Sequence, residues 1–273
     1  MKFLLLTILT VNLLAYDRII ALSPAINEII YALNSSDKIV GNTDFCTYPK
    51  DAKTKPKVGG YFDPSLEKIL SLKPDIVIMQ QNGQKLSKKL NRLGIKTKIV
   101  KLKTLQDIKD TIKIIGDVVE KNKEASDILN TLEIKLSNIK GIVKNKKILI
   151  VIGHYLSLEK RVFVAGQNLY FDDIINISGN KNALYSTRAG QPILNMENII
   201  AIDPDIVILL SPYRKKKELT KQQLIDPWLS LPIAAAKSGD IFVEDKEYAG
   251  ISSHRLIYFL EDFKKFLQDV KSR

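Results

Sequence analysis

The 273-residue chain carries 42 Lys and Arg against 30 Asp and Glu, a formal charge of +12, and 45% of its residues are apolar. That is the balance of a globular protein with room for a sizeable core and two domains. Two His and one Cys exclude a Cys/His zinc site and an internal disulfide, and Cys46 reads as a small buried apolar residue. The Lys residues are spread over many segments without interleaved aromatics, so the charge describes a solvated basic surface rather than a nucleic-acid footprint. It leaves a weak bias toward an anionic ligand.

Residues 1–15, MKFLLLTILTVNLLA, place one Lys before an apolar run that ends at Ala15. This is the form of a secretory signal, too short for a committed membrane span. No Cys follows the run to take a lipid, so the mature protein is expected to be exported, soluble and unanchored.

From Arg18 onward strand and helix alternate. RIIAL is a strand, and SPAINEIIYAL is a helix with Ser23 as N-cap and Pro24 at its first position. KIVG is a second strand. DPSLEKILSL is a helix with Asp63 as cap and Pro64 first, followed by the strand DIVIM. QKLSKKLNRL stops at Gly94, and KTKIV is the next strand. Such alternation predicts a parallel sheet flanked by helices. From Leu105 to Lys140 the apolar spacing is helical, in two pieces. The second, about Asn122 to Lys140, is expected to be a helix of roughly 18 residues and about 27 Å. Alternation then resumes with ILIVIG. The fold expected is α/β, two βα lobes with mainly parallel sheets joined by one long bridging helix. Residues 16–117 form the first lobe, 118–142 the bridge and 143–273 the second lobe.

The lobes share a repeat. Residues 61–80 and 191–210 align without a gap at an offset of 130, with seven of twenty positions identical. Shared strand-helix grammar explains the apolar strand and its Pro-Asp entry. It does not explain why Glu67 and Glu197 stand at the same place. A carboxylate near a helix N-terminus gains only about 0.3–1 kcal/mol. Two of them, one on each lobe, form a pair that a two-fold symmetric basic partner could read.

Five stretches, RIIALSPAINEIIYALN, KPKVGGYFDPSLEKILSLKPDIVI, NMENIIAIDPDIVILL, DPWLSLPIAAAKSGDIF and SSHRLIYFLEDF, span most of the mature chain. In combination they resemble the bilobed periplasmic substrate-binding proteins of ABC importers for iron chelates, haem or vitamin B12. The resemblance implies a periplasmic monomer with no intrinsic cofactor that captures a chelate of iron or cobalt between its lobes. It also implies docking through Glu67 and Glu197 to a permease dimer in the inner membrane. The implied ligand residues are Tyr48, Tyr61, Phe62, Gln80, Gln81, His154, Tyr155, Arg188, Gln191, Tyr213 and Tyr248, with the Ser23 loop and Asn82 nearby. Cobalamin-binding members carry Trp where this chain has Tyr61, Gln191 and Gln80, while Tyr248 matches a further aromatic. Haem-binding members hold iron through a Tyr within a residue of Tyr61. A ferric siderophore would suit Arg188, with His154 or Tyr155 as iron ligands, so the three ligand classes stay open.

His254, at the head of the last helix, and Trp228, in DPWLSLP, read as structural. The chain has no GxSxG, P-loop or GxGxxG motif, and Asp75 and Asp205 read as helix-to-strand turn residues rather than a catalytic pair. An enzyme on this fold is the weakest alternative, behind a scavenger or sensor of metal complexes that works without a transporter.

Overall fold

The computed structural model describes residues 16–159, 161–186 and 192–272. The expected secretory segment, Arg188 and Gln191 lie outside the described residues. Strands β1 (Ile19–Ala21), β2 (Ile39–Asn42), β3 (Ile76–Gln80) and β4 (Lys96–Val100) form a parallel sheet in the order β2-β1-β3-β4. Both faces of β1 and β3 are buried, which is why these strands read as unbroken apolar runs rather than alternating ones. Helices α1 (Pro24–Ala32), α2 (Leu66–Ser71) and α3 (Gln84–Arg92) connect them.

The Ser23 hydroxyl accepts from the Ile26 N–H at 3.3 Å and caps α1, as read. Gly94, at φ +80°, ends the turn after α3 in the left-handed region that favours glycine. The cap of α2 is Ser65, not Asp63: Pro64 is held in an antiparallel bridge with Gly59, so the helix cannot begin until the next residue.

The second lobe holds β5 (Lys147–Ile152), β6 (Val162–Phe163), β7 (Lys181–Asn182), β8 (Ile193–Leu194), β9 (Ile206–Leu210) and β10 (Ile241–Glu244). Its main sheet is parallel in the order β10-β9-β5-β7, and β6 pairs antiparallel with β8. Between and after the strands run α6 (Tyr170–Ile177), α7 (Met196–Ile202), α8 (Lys221–Leu229), α9 (Ala234–Ser238) and α10 (Leu256–Ser272).

The repeat persists in the backbone. Strands β3 and β9 keep the offset of 130, as do the caps Ser65 and Asn195 and the left-handed residues Lys73 (φ +45°) and Asp203 (φ +49°). The Asp of each Pro-Asp entry has a defined task. Asp75 accepts from the Asp17 and Arg18 N–H groups at 3.0 and 2.9 Å, and Asp205 accepts from the Lys147 N–H at 2.7 Å. Each carboxylate thereby pins the start of the neighbouring strand, β1 or β5.

The lobes are joined by α4 (Leu105–Val119) and α5 (Asn122–Ser137), an antiparallel hairpin tied by the Lys109–Glu133 ion pair. A side chain on Gly116 would begin 2.7 Å from the Ala125 Cβ, so glycine is what lets the two helices approach. The second helix ends at Ser137, three residues before the expected Lys140. Helix α4 packs against α1 on one side and α6 on the other, and α5 packs against α4 and α10. Asp173 of α6 accepts from the Leu105 N–H at 2.7 Å. One apolar cluster runs through both lobes, from Ile26 and Ile78 through Ile112 and Leu132 to Ile150 and Phe259. Smaller clusters line the outer sheet faces, around Met79 and Leu90 in the first lobe and around the fully buried Trp228 in the second.

A core shared in this way makes the lobes one cooperative unit. Urea unfolding is expected to show a single transition, and Ile112→Ala is expected to lower its free energy by about 2–5 kcal/mol. Two separable transitions, one per lobe, would refute the shared-core account.

Candidate functional site

A cavity of about 450 Å³ opens between the lobes. From the first lobe it is lined by Asp44, Phe45 and Tyr48 after β2, by Tyr61 and Phe62 before α2, and by Gln80, the last residue of β3. From the second lobe come Tyr213 and Lys216 after β9, Glu247 and Ile251 after β10, and Arg255. The walls therefore gather at the C-terminal ends of parallel strands, where α/β sheets place their ligand crevices. Five aromatic rings face one space, and Phe62 is 84% exposed.

The floor joins the lobes. Glu28 of α1 receives a hydrogen bond from the Ser253 hydroxyl at 2.6 Å and an ion pair from Arg255 at 3.1 Å. The Arg255 guanidinium lies 3.7 Å from the Tyr48 ring centroid and 5.5 Å from that of Tyr248. Glu28, Ser253 and Arg255 are all buried. Burial pushes the Glu28 carboxyl above its ordinary range, while Ser253 and Arg255 pull it back. Sequence reasoning missed this pair. Its signal was Glu28 within the buried, apolar run AINEII, because a carboxylate in such a run needs a partner.

Of the expected ligand residues, Tyr48, Tyr61, Phe62, Gln80 and Tyr213 meet in the cavity. Gln81 and Asn82 line a side hollow of about 250 Å³, which also borders Tyr61, Gln80, Lys101 and Lys103. The Asn82 amide donates to the Tyr61 carbonyl at 3.4 Å, and burial raises the Tyr61 phenol. Tyr248 stands behind the floor and donates its hydroxyl to Asp262, whose charge adds to burial in raising the phenol.

Tyr155 does not line the cavity. Its hydroxyl donates to the Ile152 carbonyl and accepts from the Phe163 N–H, both at 3.0 Å, closing the loop after β5. His154 does not line the cavity either; its Nδ1 has no hydrogen-bond partner, and burial and Lys217 lower its pKa. Cys46 is buried beside Thr43, and burial raises its thiol. Glu67 and Glu197 are each the second residue of their helices, α2 and α7. Both are exposed and, among the described residues, make no ion pair. No group of three or more His, Cys, Asp or Glu among the described residues is placed to hold a metal ion. No helix among them is long and apolar enough to cross a membrane.

Two parallel-sheet lobes on a common core, with an aromatic cavity between them, define a bilobed binding architecture. The profile of the periplasmic binding protein family matches residues 19–248, and the chain belongs to that family. An uncharacterised ABC transporter substrate-binding lipoprotein of Bacillus subtilis, YvrC, is 28% identical over 254 residues, covering 90% of this chain and 78% of its own. The vitamin B12-binding protein of Vibrio vulnificus is 26% identical over 277 residues, covering 98% and 97%. Among solved structures, the vitamin B12-binding protein BtuF of Vibrio cholerae superposes with a TM-score of 0.78 at 21% identity, covering 94% and 98%. The haem-binding protein RhuT of Roseiflexus sp. RS-1 gives 0.74 at 22%, covering 93% and 99%. At these identities the structural likeness is one of fold.

His254 adds a pH dependence. Its Nδ1 is buried without a partner, and burial, with Arg255 beside it, lowers its pKa to about 4. The native protein therefore binds this proton less readily than the unfolded chain, where the ordinary value is about 6.5. The stability this contributes is complete above about pH 6.5 and is lost as pH falls toward 4, by about 3 kcal/mol at most. His254→Asn is expected to lose less stability than wild type between pH 7 and pH 4 in urea titrations. Equal losses would remove His254 as the cause.

Proposed function

We propose that the protein is the substrate-binding component of an ABC importer and captures a chelate of iron or cobalt in the interlobe cleft. A corrinoid, haem and a ferric siderophore are the three candidates. The observation that carries this reading is the aromatic cavity between two lobes, of a size and lining suited to a flat, partly apolar ligand. Tyr61 is the candidate to approach a bound metal: like Gln80 it borders both the cavity and the side hollow, and of the two it carries a phenol oxygen. The chain would be exported through residues 1–15 and act as a monomer in the periplasm. The paired, unengaged carboxylates of Glu67 and Glu197 support docking to basic residues on the two halves of a permease.

The shared core also bears on mechanism. With α4 packed on both lobes and the Glu28–Arg255 bridge across the floor, the lobes would close little on a ligand. Capture would rely on a largely pre-formed cleft, and release on the permease prising the lobes apart.

Calorimetric titration with cyanocobalamin, haemin and ferric siderophores is expected to show saturable one-to-one binding of one class, weakened at least tenfold by Tyr61→Ala. Glu67→Ala/Glu197→Ala is expected to leave that affinity in place and abolish permease-dependent uptake. Binding of no chelate would overturn the ligand class. Uptake that survives the double substitution would overturn the docking assignment and favour a scavenger without a transporter.

A further inference from the structure

We propose that the cleft selects its chelate by charge, taking a neutral or cationic complex in preference to an anionic one, with Asp44 and Glu247 as the residues that set the preference. This rests on the reading of the cleft as the chelate site. The chain as a whole is strongly basic, at +12, and on that ground alone an anionic ligand is expected. The described lining of the cavity reverses the sign. Among the described residues its charged lining is Glu28, Asp44 and Glu247 against Lys216 and Arg255, an excess of one carboxylate.

The arrangement sharpens this count. Arg255, the cation one would expect to receive an anion, is already paired with Glu28 at 3.1 Å and stacked at 3.7 Å over Tyr48. Its residue is 7% exposed, so ligand charge would not readily displace that partner. Its Nε–H is buried without a hydrogen-bond partner. With the pair cancelled, Lys216 is the one cation left in the described lining, its ammonium 4.9 Å from the Tyr213 ring centroid, while Lys57, outside that lining, also acts on Asp44. Asp44 and Glu247 make no ion pair among the described residues. Both carboxylates are exposed, so water and salt screen part of their field, and the preference is read at low salt. Lys101 and Lys103 are exposed and border the side hollow, not this chamber. The walls thus offer aromatic faces to a flat ligand and repulsion to an anionic one.

The test is a set of equilibrium titrations with four probes: cyanocobalamin (neutral), ferrioxamine B (cationic), haemin (anionic) and a ferric tris-catecholate (three negative charges). At low salt, cyanocobalamin or ferrioxamine B is expected to bind at least tenfold more tightly than either anionic probe. In Asp44→Asn/Glu247→Gln that ratio is expected to narrow by about tenfold. Both positions are exposed, and each single substitution serves if the double variant fails to fold. Tightest binding of haemin or the tris-catecholate overturns the charge inference and leaves the chelate reading intact. A ratio unchanged in the variants overturns the assignment to Asp44 and Glu247. Binding of none of the four overturns the chelate reading and the inference with it.

Discussion

The cleft depends on the apolar face that the two lobes share. A crevice between two independent domains would have walls whose spacing drifts. Here α4 lies against α1 and α6, and one cluster passes from Ile26 through Ile112 to Phe259. Burying that surface fixes the lobes relative to each other before any ligand arrives. The polar bridge of Glu28, Ser253 and Arg255 can then be buried at the floor, since a buried ion pair is tolerable only where its geometry is held. The aromatic walls inherit the same fixed spacing.

Much of this frame was legible in the sequence because it is written in local periodicity. Strands buried on both faces appear as DIVI runs, Ser23 caps α1, and Gly94 stops α3. The repeat was legible as well, and proved to reach down to caps, left-handed residues and strand-pinning carboxylates. The miss at Asp63 came from a cap pattern that competes with a bridge: Pro64 pairs with Gly59, a contact invisible to a local reading. The role of α4 was equally out of reach, because the periodicity of a helix shows that it has an apolar face and not what covers it.

The candidate site was legible in part. Loops after strand ends could be placed at the cleft, and Tyr48, Tyr61, Phe62, Gln80 and Tyr213 do meet there. Tyr155 could not be judged, since its hydroxyl is taken up by the backbone of a neighbouring strand. Glu28 and Arg255 lie more than two hundred residues apart, so their pairing is a product of the tertiary fold alone. Net charge sums over a whole surface, whereas the lining of a cavity is a local selection from it, so the one does not determine the other.

Trp228 gives the molecule a fixed internal lamp. It is the single tryptophan, it is 1% exposed within the outer core of the second lobe, and it does not line the cleft. Its emission should be that of an indole shielded from water, insensitive to which side chains a ligand touches. A coloured chelate in the cleft would still dim it by resonance energy transfer across the β-sheet, so quenching would measure occupancy and distance rather than contact. The tyrosines of the walls would report the contact, and the two signals, read together, would separate where a ligand sits from what it touches.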